Sequence, residues 1–228
     1  MSERAADTLL VDEIELGWRT PPAWARAALS EPLELLSDHA HCELRAATTA
    51  QALILRRTTD PEFVARLGAH AAEELAHFRR VLRVLHARGG DLLPAHANPY
   101  MEKLHRRSAG TRANALLDRL LIAALIERRS HERFELLAAA AADAGDAELA
   151  ALYTELEPSE RGHALLFVEL AHRVASPEAP EVVGTRLADL IADEAAAARD
   201  APFAPRIHGG PPRVDGSGVA PNRPMIDA

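Results

Sequence analysis

Residues 73–82, EELAHFRRVL, and residues 159–167, SERGHALLF, decide the fold. Each segment contains a glutamate followed three positions later by a histidine, Glu74 with His77 and Glu160 with His163. Residues three apart lie on the same face of an α-helix. Because the neighbouring positions on that face are apolar, each segment predicts a helix whose glutamate and histidine point into the protein core.

Two further glutamates interrupt apolar stripes in the segments that precede these motifs. Glu43 lies in residues 41–50, HCELRAATTA, and Glu127 lies in residues 125–137, LIERRSHERFELL. The order along the chain is Glu, Glu-x-x-His, Glu, Glu-x-x-His, which is typical of di-iron carboxylate proteins built as helical bundles. The candidate metal ligands are Glu43, Glu74, His77, Glu127, Glu160 and His163.

Buried carboxylates on four helices need a compensating charge. An unpaired ion in an apolar interior costs several kcal/mol or more, which is comparable to the whole stability of a domain. Two divalent cations would neutralise four glutamates, and oxygen and nitrogen ligands suit iron or manganese. For any single glutamate, a solvated helix face is the simpler interpretation. Its repetition in four core stripes favours a centre of two iron ions.

Two other pairs have the same Glu-x-x-His spacing. Glu102 and His105 lie in the connection between the helix pairs. Glu169 and His172 lie on the fourth helix, on the side opposite Glu160, because each residue turns a helix by about 100°. The apolar stripe of that helix includes Glu160, so we predict that Glu169 and His172 lie on the surface.

Several neighbours of the candidate ligands could also contribute. His70 and His131 are each four positions from a candidate ligand and share its helix face, so they could support the ligands or line a pocket; partly exposed helix histidines are the alternative. The single cysteine, Cys42, is predicted to be a packing residue. Glu73 and Glu132 are predicted to be solvated.

Start and stop signals place the helices. We predict four long helices at about 32–57, 61–88, 114–142 and 146–174, with a possible break at Pro158. A crossover at 91–112, which includes a helical piece at 99–107, separates the two helix pairs. The fold prediction is an all-α, ferritin-like four-helix bundle with one long crossover, flanking helices and an irregular C-terminal tail. Its predicted parts are a leader packed on the bundle (1–32), the di-iron bundle (33–175), and a C-terminal helix and tail (176–228).

Composition agrees with this class. The chain has 228 residues, of which 48% are hydrophobic and only 4% aromatic, and its apolar positions are mostly Ala and Leu, which favour helices. No stretch has the pattern of a signal peptide or a membrane span, so we expect a cytoplasmic protein without membrane contact. The net charge of -8 argues against binding nucleic acid through bulk charge, although a local basic patch could still dock one RNA.

The four quoted segments closely resemble the MiaE family of tRNA hydroxylases, which act on 2-methylthio-N6-isopentenyladenosine. The similarity extends over about residues 18–174, and IHGGPP at 207–212 resembles the family as well. The resemblance implies that the six candidate ligands bind two iron ions and that dioxygen is the co-substrate. It also implies that an unidentified reductase supplies two electrons. The implied substrate is tRNA, modified at the adenosine beside the anticodon.

A cluster of basic residues could receive the anticodon loop, with a solvated basic face as the alternative. It comprises Lys103, His105, Arg106, Arg107 and Arg112 in the crossover and Arg128, Arg129 and Arg133 on the third long helix. Two other functions stay open. One is a ferritin-like di-iron oxidase or ferroxidase that does not act on RNA, and the other is a metal-free helical interaction module.

Overall fold

The computed structural model describes residues 14–107, 115–175 and 181–212, and within these ranges all regular structure is helical. The predicted all-α architecture is confirmed. The helices are α1 (Ala23–Ala28), α2 (Pro32–Ile54), α3 (Pro61–Ala87), α4 (Pro99–Arg107), α5 (Ala115–Asp143), α6 (Ala147–Val174) and α7 (Glu181–Asp200). None of them combines the length and hydropathy that a membrane span requires.

The bundle consists of two packed helix pairs. α2 packs along α3, α5 packs along α6, and the crossover that contains α4 joins the pairs. α1 covers part of α5, and α7 packs against α4 and α5. The flanking helices therefore cover α5 on sides that a minimal bundle would leave open to solvent.

Local sequence explains where the helices begin and end. Asp60 accepts a hydrogen bond from the backbone N–H of Phe63 at the start of α3, and Asp146 does the same for Leu149 at the start of α6. Gly89 and Gly145 follow α3 and α5 with φ angles of 76° and 77°, a conformation that glycine adopts without strain.

Two boundary predictions differ from the structure. α2 ends at Ile54, three residues before the predicted end, because the chain then turns through backbone hydrogen bonds toward Asp60. α6 continues through Pro158 without the predicted break, so the missing N–H of the proline is tolerated within a helix that packs along α5. The predicted division into leader, bundle and C-terminal part stays a prediction.

The apolar core is divided into two clusters. One contains Phe63, Leu67 and Phe167 and lies toward the start of α3 and the end of α6. The other contains Val81, Leu85 and other residues from the end of α3 and the start of α6. All six candidate metal ligands lie in sequence between these two clusters, so the polar residues form a layer at the middle of the bundle.

Three arginines of the proposed RNA-binding cluster are buried, which corrects that part of the prediction. Arg129 and Arg133 are 0% exposed and Arg128 is 8% exposed. Arg129 donates two hydrogen bonds of 2.8 Å to Glu194 on α7 and is paired with Glu132, which is buried as well and therefore not solvated as predicted. These arginines bind other parts of the protein and are not available to RNA.

The rest of that cluster is divided. Lys103 is held by the carbonyl of Ala196 and by Asp200 at the end of α7, whereas His105 and Arg106 are exposed. Arg112 and the side chain of Arg107 lie outside the described residues.

The first part of the predicted tail is closely packed although it forms no helix. The backbone N–H of Ile207 donates to Asp38 on α2 at 3.0 Å, and Arg133 on α5 donates to the Ile207 carbonyl. His208 stacks on Tyr100 of α4 with ring centroids 4.8 Å apart. Residues 206–208 therefore close one side of the bundle.

Candidate metal centre

The six residues that the sequence singled out converge in the bundle interior. Each is at most 8% exposed. α2 and α5 contribute one glutamate each, while α3 and α6 contribute a glutamate and a histidine each. The residues are Glu43, Glu74, His77, Glu127, Glu160 and His163.

The ligand atoms form two groups, and within each group all atoms lie within 4.8 Å of one another. Both groups contain Glu74 and Glu160. One group adds Glu43 and His77, and the other adds Glu127 and His163. This is the arrangement expected for two cations bridged by two carboxylates, each cation having one further glutamate and one histidine.

The carboxylate of Glu74 faces both histidines. Its Oε1 lies 2.8 Å from Nδ1 of His163, and its Oε2 lies 3.8 Å from Nδ1 of His77. Oε2 of Glu43 lies 3.7 Å from the same nitrogen of His77. In both rings, therefore, Nδ1 points toward the carboxylates.

Several of these buried polar atoms have no hydrogen-bond partner among the described residues. They are Oε1 of Glu74 and of Glu160, Nδ1 of His77, and both ring nitrogens of His163. Buried polar groups normally find a partner, so a set of unpartnered oxygen and nitrogen atoms around one point fits bound cations. The residues present thus suit two divalent metal ions.

In the metal-free protein, the pKa values of several candidate ligands are raised, so these side chains bind protons more tightly than usual. Burial and the nearby Glu74 carboxylate raise the pKa of Glu127 to about 8, and burial with Glu127 raises the pKa of Glu160 well above its usual value. Burial would lower the pKa of both His77 and His163, but adjacent carboxylates raise these pKa values to about 10 and about 9. Burial also opposes ionisation of Glu43, yet the hydrogen bond to His39 and the nearby imidazole of His77 lower its pKa.

Glu73 faces both candidate histidine ligands from the solvent side. Its side chain is 48% exposed, as the sequence predicted. Its Oε2 lies 3.2 Å from Nε2 of His163, and its Oε1 lies 3.9 Å from Nε2 of His77. Ser159 donates to Oε1 at 3.2 Å. Glu73 is therefore placed to orient both rings through the nitrogens that point away from the centre.

His39 supports the centre and was not predicted. It is fully buried on α2, its Nε2 lies 2.6 Å from Oε1 of Glu43, and its ring stacks on Tyr153 with centroids 5.6 Å apart. His39 precedes Glu43 by four positions, the same relation that singled out His70 beside Glu74. This four-residue spacing is the sequence feature that could have identified His39.

His131, Glu169 and His172 belong to neither of the two ligand groups. His131 accepts a hydrogen bond from Arg128, because a guanidinium can only donate. It is also paired with Glu157. Glu169 is exposed and paired with Arg66. His172 is half-buried and its Nε2 is covered, so it is less exposed than the surface prediction implies.

Cys42, Glu102 and His105 line the pocket or one of the grooves described below. Burial and the nearby Asp38 raise the pKa of Cys42 well above its usual value, so the thiol stays protonated, in agreement with a packing role. Glu102 and His105 are exposed on α4 and do not approach the centre.

An apolar pocket opens directly onto the centre. Four of the candidate ligands line it, and its cavity volume is about 50 Å³. The tail contributes Ile207 and His208 to its lining. Its walls are made largely by Met101, Ala123, Ile126, Phe134 and Phe167.

The mouth of this pocket is polar and partly basic. Thr49 and Met101 line the pocket and also two adjoining surface grooves. The basic residues that line these grooves are His41, Arg45, Arg56, His105 and Arg119, and Glu102 is the acidic one. A narrow apolar chamber thus lies behind a surface that can contact an anionic molecule.

Fold and site together define a ferritin-like helical bundle with a buried carboxylate–histidine centre, the class to which di-iron oxygenases belong. The family model described as tRNA-(MS2IO6A)-hydroxylase (MiaE) matches residues 8–209. The chain belongs to the MiaE family, and the resemblance inferred from its sequence is confirmed.

Similar proteins agree with this assignment. A Pseudomonas putida protein named tRNA 2-(methylsulfanyl)-N(6)-isopentenyladenosine(37) hydroxylase is 39% identical over 165 residues, which cover 72% of this chain and 78% of the relative. A Salmonella typhimurium protein of the same name is 29% identical over 209 residues, covering 70% and 76% of the two chains.

The fold is also similar to a solved structure. "Protein 43 with aldehyde deformylating oxygenase activity from Synechococcus" matches with a TM-score of 0.78 and 35% identity. The match covers 87% of this chain and 98% of that protein. The predicted ferritin-like fold is confirmed by this similarity.

Proposed function

We propose that this protein is a di-iron, oxygen-dependent monooxygenase that hydroxylates the isopentenyl group of 2-methylthio-N6-isopentenyladenosine beside the tRNA anticodon. The observation that supports this most directly is the apolar pocket whose floor consists of Glu43, Glu74, Glu127 and Glu160. A hydrocarbon group held in that pocket would lie against the carboxylates of the centre. Because tRNA is the proposed substrate, a cytoplasmic location is part of the proposal.

The six buried residues would hold two iron ions. Glu43, Glu74, His77 and Glu160 would hold one ion, and Glu74, Glu127, Glu160 and His163 would hold the other. Four carboxylates balance two divalent cations, which removes the repulsion that otherwise raises the pKa of Glu127 and Glu160. When bound, the iron supplies the oxygen chemistry that no protein side chain provides.

The pocket walls would position the substrate and exclude water. Phe134 and Phe167 are buried, and together with Ile126 and Met101 they offer the apolar contacts that a branched five-carbon chain requires. These side chains offer no strong hydrogen bond, so this part of the pocket suits a hydrocarbon chain. They would also keep water away from the reacting carbon.

The grooves around the mouth would contact the RNA. Arg45, Arg56 and Arg119 lie along them and offer guanidinium groups to phosphates on either side of the inserted base. The arrangement places positive charge at the mouth of an acidic protein, where an anticodon loop with a splayed-out base would approach. Exposed Arg106 on the neighbouring helix α4 extends the same basic surface.

Hydroxylation by dioxygen requires two electrons and two protons for each oxygen atom that enters a C–H bond, since the other atom leaves as water. The chain has a single cysteine, too few for an iron–sulfur cluster held by four thiolates. A separate reductase is therefore part of the proposal.

Nucleoside analysis of tRNA tests the proposed reaction. In cells that contain the isopentenylated nucleoside, wild-type protein should produce its hydroxylated form, and Glu74→Ala should not. Glu155→Ala is the matched control, because Glu155 is an exposed residue on α6 that pairs with Arg80 across the same helix interface. Equal amounts of the hydroxylated nucleoside with and without the wild-type protein would contradict the proposed substrate.

A further inference from the structure

A third histidine lies against the centre. His70 is on α3, one helical turn before Glu74, and is only 2% exposed. Its ring packs edge-on against His163 and Phe167, with centroid distances of 4.3 Å and 5.0 Å. Packing on these two sides holds the ring beside the carboxylates.

The nitrogens of His70 face two of the candidate ligands without forming hydrogen bonds. Nδ1 lies 3.4 Å from Oε1 of Glu74, and Nε2 lies 3.9 Å from Oε1 of Glu127. Both nitrogens are buried and have no hydrogen-bond partner among the described residues. A buried imidazole with two unpartnered nitrogens is costly unless something binds to it.

His39 and His131, each four positions from a candidate ligand, are buried in a different way. His39 is bonded to Glu43, and His131 is bonded to Arg128 and paired with Glu157. Both nitrogens of His131 have polar partners, whereas His39 is partnered through Nε2 and its Nδ1 has none among the described residues. Neither nitrogen of His70 has a hydrogen-bond partner among the described residues, although Nδ1 lies 3.4 Å from the carboxylate of Glu74.

The position of His70 matches a metal ligand. One of its nitrogens, an oxygen of Glu74 and a nitrogen of His163 all lie within 4.8 Å of one another. Ligands around one cation with bonds of about 2.1 Å are separated by no more than about twice that bond length. A small ring shift would bring the His70 nitrogen to the cation shared by Glu74 and His163.

We propose that His70 supplies a third imidazole to the metal centre, on the side of His163. The proposal rests on the metal centre of the proposed function. One cation then has two histidines and the other has one, so the two cations differ in donor set. They would consequently bind with different affinity and give different spectra.

A crystal structure of the wild-type protein loaded with Co²⁺ tests this directly. We expect a ring nitrogen of His70 at about 2.1 Å from one cobalt ion, within about 0.2 Å. Two bound cobalt ions with His70 further than about 3 Å from both, which is longer than any coordination bond, would overturn this inference and leave the proposed function intact. A protein that binds no cobalt at all would contradict the proposed function itself.

Titration of two variants with Co²⁺ provides a second test that does not depend on crystals. His70→Gln should weaken binding of one of the two ions by at least about 10-fold and change the visible absorption of the bound cobalt. His131→Gln is the control, because His131 is also buried, at 9% exposure, and lies four positions from Glu127 but outside the centre. Identical affinities and spectra in the two variants would also overturn the inference. Imidazole added to His70→Gly should restore the wild-type spectrum.

Discussion

Oε1 of Glu74 lies 2.8 Å from Nδ1 of His163, the histidine of the other Glu-x-x-His motif. The second oxygen of the same carboxylate faces His77, from its own motif. One side chain on α3 therefore contacts both halves of the centre. This is why the two motifs act as one site, although their sequence positions are separated by the whole crossover.

Glu73→Gln should weaken metal binding by about 10-fold or more, since an amide is a poorer acceptor for the two ring N–H groups that Glu73 faces. Co²⁺ titration measures the effect. Glu155→Gln removes another exposed carboxylate between α3 and α6 without touching a histidine. If the two variants bind cobalt equally well, Glu73 does not orient the ligands.

Ile126→Trp should abolish most hydroxylation while the iron content stays at the wild-type value. Ile126 lines the pocket but is not a candidate ligand, and the larger indole would occupy the space proposed for the isopentenyl group. The rate with isopentenylated tRNA should fall by about 100-fold, which corresponds to about 2.7 kcal/mol. Metal analysis of the same sample provides the control. Wild-type turnover by this variant would show that the substrate does not enter this pocket.

Arg129→Met should lower the free energy of unfolding by about 3–5 kcal/mol, because it leaves Glu132 and Glu194 buried without their partner. Urea denaturation of the metal-free protein measures this. Arg106→Met, on the exposed face of α4, should change stability by less than about 0.5 kcal/mol. Similar stability of both variants would show that the buried ion cluster does not hold α5 and α7 together.

Asp146→Asn should lose stability in a pH-dependent way. Asp146 accepts two hydrogen bonds from Arg88, at 2.7 Å and 2.6 Å, and these lower its pKa below the ordinary value of 3.8. A lowered folded-state pKa contributes stability above the ordinary pKa, and this contribution is lost as the pH falls through the folded-state value. The difference in unfolding free energy between wild type and variant should therefore be largest near neutral pH, at up to about 1 kcal/mol.

The same difference should shrink as the pH falls below about 4, where the unfolded carboxylate begins to take up protons. Urea midpoints measured at several pH values test this. Asp143→Asn, at an exposed position just before the turn, should show no such trend. A difference that stays constant from neutral pH to pH 3 would contradict the role given to the Arg88 pair.

Helical periodicity was sufficient to single out six residues that the structure brings together in the bundle interior. Each glutamate replaced an apolar residue on a core face, and the repeated Glu-x-x-His fixed the face on two helices. Glu160 was separated from Glu169 in this way, and the structure buries the first and exposes the second. The helix ends marked by Asp60 and Asp146 were also predictable, because their capping chemistry is local.

What periodicity could not show is how α5 is covered. Arg129, Glu132 and Arg133 lie on faces that are exposed in a four-helix bundle of ordinary size, and they were interpreted accordingly. In the protein, Thr20, α7 and Ile207 cover those faces. These contacts join residues far apart in sequence, so no local pattern reports them. His208 was not predicted to line the pocket for the same reason, since it reaches the pocket from a segment without regular structure.

The most direct test of the metal centre is a count of the iron bound by the protein. After anaerobic addition of Fe²⁺ and removal of excess metal, wild-type protein should retain two iron ions per chain, and Glu74→Ala should retain at most one. Wild-type protein without bound iron, or two ions retained by the variant, would contradict the assignment of Glu74 as the carboxylate that joins the two halves of the centre.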